Sequence, residues 1–460
     1  MPLRVIRNAR IVTPEGTLRG AVVYDDRSGK ITAVIDERET DAALPADSLD
    51  ARGGYLVPGG VDGHVHLGGF GEIPIADDFD QGSRAALAGG TTTVVDFCEP
   101  VAGQSAADCI ARRKREAQAS SVDYTFHFVL SEEYRRQLAD IDTVYREGIG
   151  TFKLFTIYEN TTLSVESIRE IFGFFAARGE HPTFLIHAEE PEAISRLRAV
   201  ADGESRDMRL LASTRPARTE YEMVRTLCQI ARETGTRICI AHTSTAGAVE
   251  VKRAWRGEEN FLLETCPHYL AFTDEKLGGE NGALYTMTPP LRQERDRQAL
   301  WGGIEDGGIA MLCTDHCPYH ESDKRSHGFA RVPCGVDGIQ SRMLYLFSEG
   351  VVKRNLSLRR YVELTAENAA KFYGLYPRKG CIRPGSDADL VLIDPDAVTE
   401  WRLDRCHGKI DYTIYEGMRF QGGIAAVIRR GETVYDGTQL RVTEGTGQFL
   451  PTAHQSGERP

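Results

Sequence analysis

Two histidines separated by one residue, His64 and His66, lie in the segment GGVDGHVHLGG at the end of a strand-like run. Residues i and i+2 of a strand point to the same side, so both imidazoles can face one point in space. Neutral imidazole is a common zinc ligand. A lone histidine is usually a core or surface residue, but this pair, after a glycine-rich turn, indicates a shared metal ion.

Further candidate ligands end later strand-like runs: His187 in TFLIHAE, His242 in ICIAHTS and Asp315 in AMLCTD. Lys153 lies inside TFKLF, a run expected to be buried on both faces. Burial disfavours a charged ammonium, lowers its pKa and makes a nucleophilic amine. Three roles are open for Lys153: an ion pair with a carboxylate, a side chain that reaches solvent, or carbamylation by carbon dioxide. A carbamate would supply an anionic oxygen that can bridge two metal ions.

These positions together form a ligand set that is more specific than any one of them. Four imidazoles, one bridging anion and one carboxylate suit two divalent ions in each subunit, with zinc as the first choice and manganese as the alternative. Two ions about 3.5–4 Å apart can hold a hydroxide between them, and bound water then ionises near pH 7 instead of about 15.7. Such a pair supplies a nucleophile for an unreactive amide.

Eight strand-like apolar runs alternate with amphipathic helical segments in the middle of the chain. The runs cover residues 55–67, 91–97, 124–130, 151–155, 183–189, 237–244, 261–266 and 308–315. This alternation predicts a parallel sheet covered on both faces, and eight repeats predict an α/β fold of the TIM-type (β/α)8 barrel class. Because active sites of these barrels lie at the carboxyl ends of the strands, the candidate ligands should meet at one end.

The two flanks of the barrel have a different texture, with short strands and turns rich in Gly, Pro, Asp and Ser. We expect residues 1–55 and 383–437 to form one small β-sandwich domain from both ends of the chain, and residues 56–382 to form the barrel. Residues 438–460 are polar and contain glycine. They predict a loose C-terminal arm that is available for a subunit contact.

Composition argues against several other classes of protein. The 460 residues carry 55 basic and 67 acidic side chains, a net charge of -12, which disfavours a nucleic-acid surface and an anionic membrane surface. The ten cysteines are scattered without a C-x-x-C pair, as expected of reduced thiols. The sequence has neither a signal-peptide pattern nor an apolar run of about 18 residues, so the expected location is the cytoplasm.

HVH, the lysine of TFKLF, the two strand-end histidines and CTDHCP together resemble the cyclic amidohydrolases of the amidohydrolase superfamily. Further segments are closest to the hydantoinase and dihydropyrimidinase branch, among them ADDFDQGSRAALAGGTTTVVDF, STRPARTEYE, ETCPHYL, MTPPLR and YEGMRFQG. The resemblance runs from about residue 5 to about residue 437, and six ligand positions agree in order.

The resemblance implies a role for each position. Two overlapping sets of side chains would hold the two metal ions: His64, His66, carbamylated Lys153 and Asp315 for one, and Lys153, His187 and His242 for the other. Asp315 would act as general base and then as general acid. Tyr158 matches the family tyrosine that donates to the developing oxyanion, against the alternative of a packed tyrosine. The family also implies a homotetramer or a homodimer.

Two departures from the branch concern the substrate. Where the family commonly has S-P-P-L-R, this chain has Thr288 first, and where the family has P-N-G, this chain has Cys334 in the middle. The resemblance makes both positions substrate-binding, beside Tyr158, because the family's Ser and Asn contact the amide edge of the ring. Thr adds a methyl group and Cys is a poorer hydrogen-bond partner than Asn. The ring substrate is therefore left open.

Three functions are open for the chain. The first is opening of a hydantoin, dihydrouracil or related ring to an N-carbamoyl amino acid. The second is allantoinase or dihydroorotase activity: ETCPHYL favours allantoinase, DDF and Tyr158 favour the first function, and Arg292 is a candidate partner for a dihydroorotate carboxylate. The third is a non-catalytic scaffold, against which the intact ligand positions argue. For both enzyme functions the partner is a small cyclic amide.

Other polar residues after the eighth run have less specific patterns. Cys313 and Cys317 have the spacing of metal ligands, but we expect both to pack, Cys313 in the barrel wall and Cys317 in the following loop. His316, His320 and His327 cluster in the same region. They line the entrance of the site or lie in a solvated loop.

Overall fold

A computed structural model describes residues 3–39, 48–69 and 73–452. Within these ranges the strands are β1 (Leu3–Thr13), β2 (Gly16–Asp25), β3 (Lys30–Asp36), β4 (Ser48–Asp50), β5 (Tyr55–Pro58), β6 (Gly60–Asp62), β7 (Thr91–Cys98), β8 (Asp123–Val129), β9 (Thr151–Phe155), β10 (Thr183–His187), β11 (Arg237–Ile240), β12 (Phe261–Thr265), β13 (Met311–Leu312), β14 (Leu390–Glu400), β15 (Arg419–Arg429) and β16 (Glu432–Tyr435). The α-helices are α1 (Phe79–Ala88), α2 (Ala106–Glu116), α3 (Tyr134–Ala139), α4 (Ile141–Arg146), α5 (Val165–Ala177), α6 (Pro191–Ala199), α7 (Arg209–Thr214), α8 (Ala217–Thr234), α9 (Ala246–Ala254), α10 (Pro267–Ala271), α11 (Glu294–Asp306), α12 (Glu321–Ser326), α13 (Arg342–Leu346), α14 (Leu358–Val362) and α15 (Asn368–Phe372).

Strands β6 to β13 form one sheet in chain order, and each strand pairs in parallel with the next. The sheet closes on itself after its first and last strands. The Asp315 N–H donates to the His64 carbonyl at 2.9 Å, and the His66 N–H donates to the His316 carbonyl at 2.8 Å. The predicted TIM-type barrel is therefore confirmed.

Local sequence explains why these elements form. Every residue of β7, TTTVVDFC, is buried, and its β-branched residues suit a strand that is covered on both faces. Helix α5 begins after Ser164, whose side chain accepts a hydrogen bond from the Ser167 N–H at 3.1 Å. Helix α8 ends at Gly235, which has a left-handed φ of 66°. Among the described helices, none is both long enough and apolar enough to cross a membrane.

The small domain is one mixed sheet built from both ends of the chain, as predicted. Its strand order is β16, β15, β14, β5, β1, β2 and β3, with β4 paired to β1. Strands β14 and β15 come from the C-terminal flank, and the antiparallel pairing of β14 with β5 joins them to the N-terminal strands. One cluster of buried side chains, which includes Ile11, Leu56 and Ile428, packs across strands from both ends.

The run 55–67, predicted as one barrel strand, is divided between the two sheets. Tyr55–Pro58 pairs with β1 and β14, and the barrel starts only at Gly60. The chain passes between the sheets where two glycines allow close packing. A Cβ on Gly59 would lie 2.2 Å from Thr92 Oγ1, and a Cβ on Gly60 would lie 2.6 Å from an Arg342 guanidinium nitrogen. The crossing is a three-dimensional contact that the apolar pattern does not reveal.

The C-terminal arm differs from the expected loose segment as far as residue 452. Leu450 is 1% exposed, and its N–H donates to the Tyr124 carbonyl at 2.7 Å. Phe449 stacks on Phe126 with ring centroids 5.8 Å apart. The expectation of looseness is thus wrong for this part of the arm, which packs on its own barrel. Residues 453–460 lie outside the described residues.

Candidate metal centre

The candidate ligands lie in strands of the barrel or directly after them. His187 is the last residue of β10, and Lys153 is the middle residue of β9. His242 comes two residues after β11 with a φ of 35°, and Asp315 comes three residues after β13 with a φ of 48°. Both φ values lie in the left-handed region, so the chain leaves the strand direction at the residue that carries the ligand.

The four histidines and Asp315 lie together in one cluster of side chains. His64 Nε2 and His66 Nε2 lie 3.1 Å and 3.2 Å from the same oxygen, Asp315 Oδ1. One ligand atom from each of His64, His242 and Asp315 lies within 4.8 Å of the other two, a spacing that fits one metal ion. The His187 ring follows at 4.5 Å from the His242 ring, centroid to centroid.

Lys153 is the fully buried member of the group. Among the described residues its Nζ has no hydrogen-bond partner, and it lies 5.3 Å and 4.9 Å from the ring centroids of Phe97 and Phe155. Burial lowers the pKa of Lys153 to about 8. Within the described residues, neither the ion pair nor the route to solvent, two of the three roles left open by the sequence, is found for Lys153. A buried amine without a partner fits a group that is completed by a further ligand.

The protonation states of four of the ligands also fit a metal centre, whereas the Asp315 and Glu264 carboxylates outweigh burial and raise the pKa of His64. Burial lowers the pKa of three imidazoles: His66, His187 and His242. Burial opposes ionisation of Asp315, but His64 and His66 hold the pKa of its carboxyl well below the usual value. Neutral imidazoles and an ionised carboxylate are the forms that bind metal. Buried His242 Nδ1, which has no partner among the described residues, adds a free donor.

A cavity of about 830 Å³ opens over these ligands. All six predicted ligands line it, together with Tyr158, Thr288 and Cys334. The Tyr158 hydroxyl lies 2.6 Å from Thr288 Oγ1, and its ring packs edge-on against His187 at 4.9 Å. Tyr158 has a φ of 112°, which is rare for a bulky residue. Burial raises the pKa of Tyr158, so its hydroxyl stays protonated and can donate.

Comparison with known proteins covers nearly the whole chain. Residues 55–434 match the profile of the amidohydrolase family. A D-hydantoinase of Streptomyces coelicolor is 33% identical over 460 residues, 98% of each chain, and a D-hydantoinase of Geobacillus stearothermophilus is 34% identical over 461 residues, 98% of this chain and 96% of that one. The crystal structure of a dihydropyrimidinase from Brevibacillus agri has a TM-score of 0.92 at 32% identity and covers 100% of both chains.

The chain belongs to the amidohydrolase family. Within that family it is a cyclic amidohydrolase of the hydantoinase and dihydropyrimidinase branch, as the motifs predicted. The shared fold and the group formed by His64, His242 and Asp315 agree with a metal site of the family's kind.

Two buried carboxylates contact ligand imidazoles of this amidohydrolase. Neither carboxylate has a role predicted from the sequence. Glu264 Oε1 lies 2.5 Å from His64 Nδ1, and Glu189 Oε2 lies 2.8 Å from His187 Nε2. Burial alone would raise the pKa of Glu189, but the Arg215 guanidinium and His187 hold it at about 2. Such partners fix which ring nitrogen faces a metal ion. The signal was the motif itself, since Glu189 stands two residues after His187 in HAE.

The remaining predictions for the amidohydrolase have mixed outcomes. His316 is 2% exposed and its Nε2 lies 3.0 Å from Asp77 Oδ2, so the expectation of a solvated loop is wrong for this residue. His320 and His327 are partly exposed, and neither is among the residues that line the cavity.

Two further expectations concern cysteines and an arginine. Cys313 packs in the barrel core and Cys317 is buried, as expected for both. Cys317 also lines the cavity. Arg292 is buried, its Nε lies 3.0 Å from Ser244 Oγ, and it also donates to the Arg215 carbonyl. It is not among the residues that line the cavity. Nothing in this geometry supports Arg292 as the partner of a dihydroorotate carboxylate.

Proposed function

We propose that this cyclic amidohydrolase hydrolyses the ring of hydantoins and dihydropyrimidines to N-carbamoyl amino acids with the help of two divalent metal ions. The observation that carries the proposal is the convergence of four imidazoles, the Asp315 carboxylate and the unpartnered Lys153 amine on one cavity. The names of the relatives, D-hydantoinase and dihydropyrimidinase, give the substrate class.

The proposed ligand sets follow from the donor atoms. His64 Nε2 and His66 Nε2 both contact Asp315 Oδ1, which supports the first set, and the His187 ring lies 4.5 Å from the His242 ring, centroid to centroid, which supports the second. Zinc is the first choice for this donor set, with manganese as the alternative. Two such ions, when bound, supply an ionised water near neutral pH and polarise the amide carbonyl.

Lys153 would complete the site as a carbamate. Its neutral amine attacks the carbon of carbon dioxide, a C–N bond forms, one C–O electron pair moves to oxygen and the nitrogen releases one proton. The lowered pKa favours this step, because only the unprotonated amine is a nucleophile. The resulting carbamate would supply the anionic oxygen that both proposed ligand sets require.

Asp315 and Tyr158 would act on the substrate. Asp315 accepts the proton of the attacking water and then gives it to the ring nitrogen of the broken amide bond, which becomes the terminal NH2 of the carbamoyl group. Tyr158 donates its hydroxyl hydrogen to the oxygen of the carbonyl as negative charge develops there. Thr288 and Cys334 line the cavity beside Tyr158, and Thr288 is in contact with the Tyr158 hydroxyl. They are the proposed contacts to the amide edge of the ring.

A substrate panel tests this proposal. The purified protein, supplied with zinc or manganese and bicarbonate, is assayed with 5-substituted hydantoins and dihydrouracil, and the N-carbamoyl products are measured. Tyr158→Phe should lower kcat by about 10²–10³. Tyr319→Phe, which changes another tyrosine of the cavity wall, is the matched control and should leave kcat unchanged. Absence of turnover with every ring of this class would contradict the proposal.

The same purified protein also tests the alternative functions. Allantoin and dihydroorotate are added to the panel, and turnover of either one in place of the hydantoins would move the assignment to that reaction. The scaffold hypothesis makes a separate prediction, which is that the purified protein carries far less than two metal ions per chain. Elemental analysis therefore distinguishes a scaffold from an enzyme whose substrate is missing from the panel.

Three further predictions remain proposals. The first is assembly into a homotetramer or a homodimer, which light scattering of the purified protein measures. The second is a cytoplasmic location, supported by ten cysteines that are all free thiols. The third is the division into segments 1–55, 56–382, 383–437 and 438–460, which limited proteolysis can test.

A further inference from the structure

Two thiols are in contact beside the cavity. Cys98 is the last residue of β7 and Cys109 lies in the first turn of α2, and their Sγ atoms are 3.1 Å apart. Both residues are 0% exposed. A disulfide needs about 2.05 Å between the sulfurs, so a shift of about 1 Å would bring the two atoms to bonding distance. The two residues lie on adjacent elements joined by one short connection, which can absorb such a shift.

The surroundings make the two thiols unequal. The two thiols are within hydrogen-bond distance of each other, and an Arg112 guanidinium nitrogen lies 3.8 Å from Cys109 Sγ. The contact with Cys98 and the nearby Arg112 lower the pKa of Cys109, whereas burial raises the pKa of Cys98. Cys109 therefore forms a thiolate more readily, and Cys98 is placed to react with it in a second step.

Arg112 also gives a route for a small oxidant. Its side chain lines the main cavity and donates to the Glu99 carbonyl at 2.8 Å, so the guanidinium stands between the cavity and the sulfur of Cys109. The Arg112 side chain is 32% exposed, so a change of its conformation is the route by which a molecule of the size of hydrogen peroxide would reach Cys109.

We infer that Cys98 and Cys109 are a redox modification site, at which a hydroperoxide converts the thiol pair into a reversible disulfide. The Cys109 thiolate attacks one oxygen of the peroxide, the O–O bond breaks, and the second oxygen leaves as water after protonation. The Cys98 sulfur then attacks the sulfenic acid at Cys109, loses its proton and expels a second water. Two thiols are oxidised and one peroxide is reduced to two waters.

The Cys98–Cys109 disulfide would constrain the wall of the cavity. Residues 99–105 connect β7 to α2, and Glu99, Pro100, Val101 and Ala102 of this connection line the cavity. Phe97, next to Cys98, stacks on the His66 ring at 4.5 Å. The disulfide therefore ties the start of α2 to the strand that supports this part of the wall. The inference does not depend on which ring the protein hydrolyses.

Thiol counting on the full chain tests the inference. The protein is treated with hydrogen peroxide, denatured, alkylated and mapped by mass spectrometry. Alkylated cysteines should fall from ten to eight, and the peptides of Cys98 and Cys109 should appear linked and lighter by two hydrogen atoms. Dithiothreitol should restore all ten. Neither Cys98→Ser nor Cys109→Ser should form a link.

Cys228→Ser is the matched control, because Cys228 is a buried cysteine of α8. It should keep the linked pair and lose only its own thiol from the count. The inference is overturned if all ten thiols stay free after peroxide treatment, if peroxide links a different pair such as Cys317 and Cys334, or if Cys109 is carried to the sulfinic acid without a link. The wild-type map alone decides between these outcomes, so a variant that fails to fold does not prevent the test.

Discussion

Two fully buried lysines of this protein have opposite surroundings. Lys379 Nζ lies 2.6 Å from Asp123 and Asp389 and 2.9 Å from Asp387, at the amino end of the barrel where β8 begins. Lys153 Nζ, inside β9, has no hydrogen-bond partner in the described part of the chain. Burial lowers the pKa of Lys153 to about 8. Burial acts on Lys379 in the same direction, but its three carboxylates outweigh burial and raise its pKa.

The comparison shows how a buried lysine that stabilises the fold can be distinguished from a buried lysine that serves a reaction. At Lys379 the charge is fully paired, and the pairs join the barrel to the sheet of β14. A buried polar group without a partner is unfavourable for stability, so its presence at Lys153 indicates a role that only a further bound group completes. The same residue type at the same burial therefore stabilises the fold at one end and, in the proposed function, serves the reaction at the other.

The largest expected contrast is in stability. Lys379→Met would leave buried Asp389 without its cation and would remove one of the cations that pair with Asp123 and Asp387, so it should lower the free energy of unfolding by about 3–5 kcal/mol. Lys153→Met removes an unpaired buried amine and should cost nothing or stabilise. Urea denaturation of both variants, after removal of metal with a chelator, measures the difference. Equal losses in the free energy of unfolding for the two variants would contradict the proposed difference between the two lysines.

The next effect is on metal affinity and concerns Glu264. Glu264→Gln weakens the carboxylate contact to His64 Nδ1 and should lower metal affinity by about 10–100-fold. Titration with a competing chelator measures it. Glu367→Gln is the matched control, because Glu367 is also buried, at 1% exposure, but pairs with Arg359 and Lys371. If both variants bind metal equally well, Glu264 does not position the ligand.

The third effect is the pH dependence of stability in metal-free protein. Between about 8 and the ordinary value of 10.5, Lys153 is neutral in the fold and protonated in the unfolded chain. The unfolded chain then binds more protons, so stability should rise with pH by up to about 1.4 kcal/mol per unit. Lys379 is charged in both states here, and its contribution is lost only as pH rises beyond this window.

The observable is the difference between wild type and Lys153→Met, because the other titrating groups are common to both proteins. Lys153→Met should lack the rise between about pH 8 and 10.5. Denaturant midpoints taken at several pH values give the two slopes. Identical slopes would mean that Lys153 does not carry the lowered pKa.

Much of the site was predictable because strands impose simple rules on sequence. The i, i+2 spacing of His64 and His66 and the position of His187 and His242 at strand ends follow from one-dimensional order. The barrel places all strand ends together, so the predicted ligands converge without knowledge of any particular contact.

Other features depend on contacts between distant segments. Glu264 and His64 are 200 residues apart, and Asp77 and His316 are 239 residues apart. Nothing in local spacing joins either pair. In the same way, the division of the run 55–67 at Gly59 depends on Thr92 and Arg342, which approach from other elements.

The most direct test of the central claim measures metal content and turnover of Lys153→Ala beside wild type and Lys324→Met. Lys324 is a matched buried lysine with a pKa lowered to about 8, but its Nζ donates to the Thr286 carbonyl at 2.8 Å. We expect two metal ions per chain in wild type and in Lys324→Met, and loss of metal and turnover in Lys153→Ala, with partial recovery when a short-chain carboxylic acid is added. A Lys153→Ala protein that keeps its full metal content and full turnover without added acid would contradict the account.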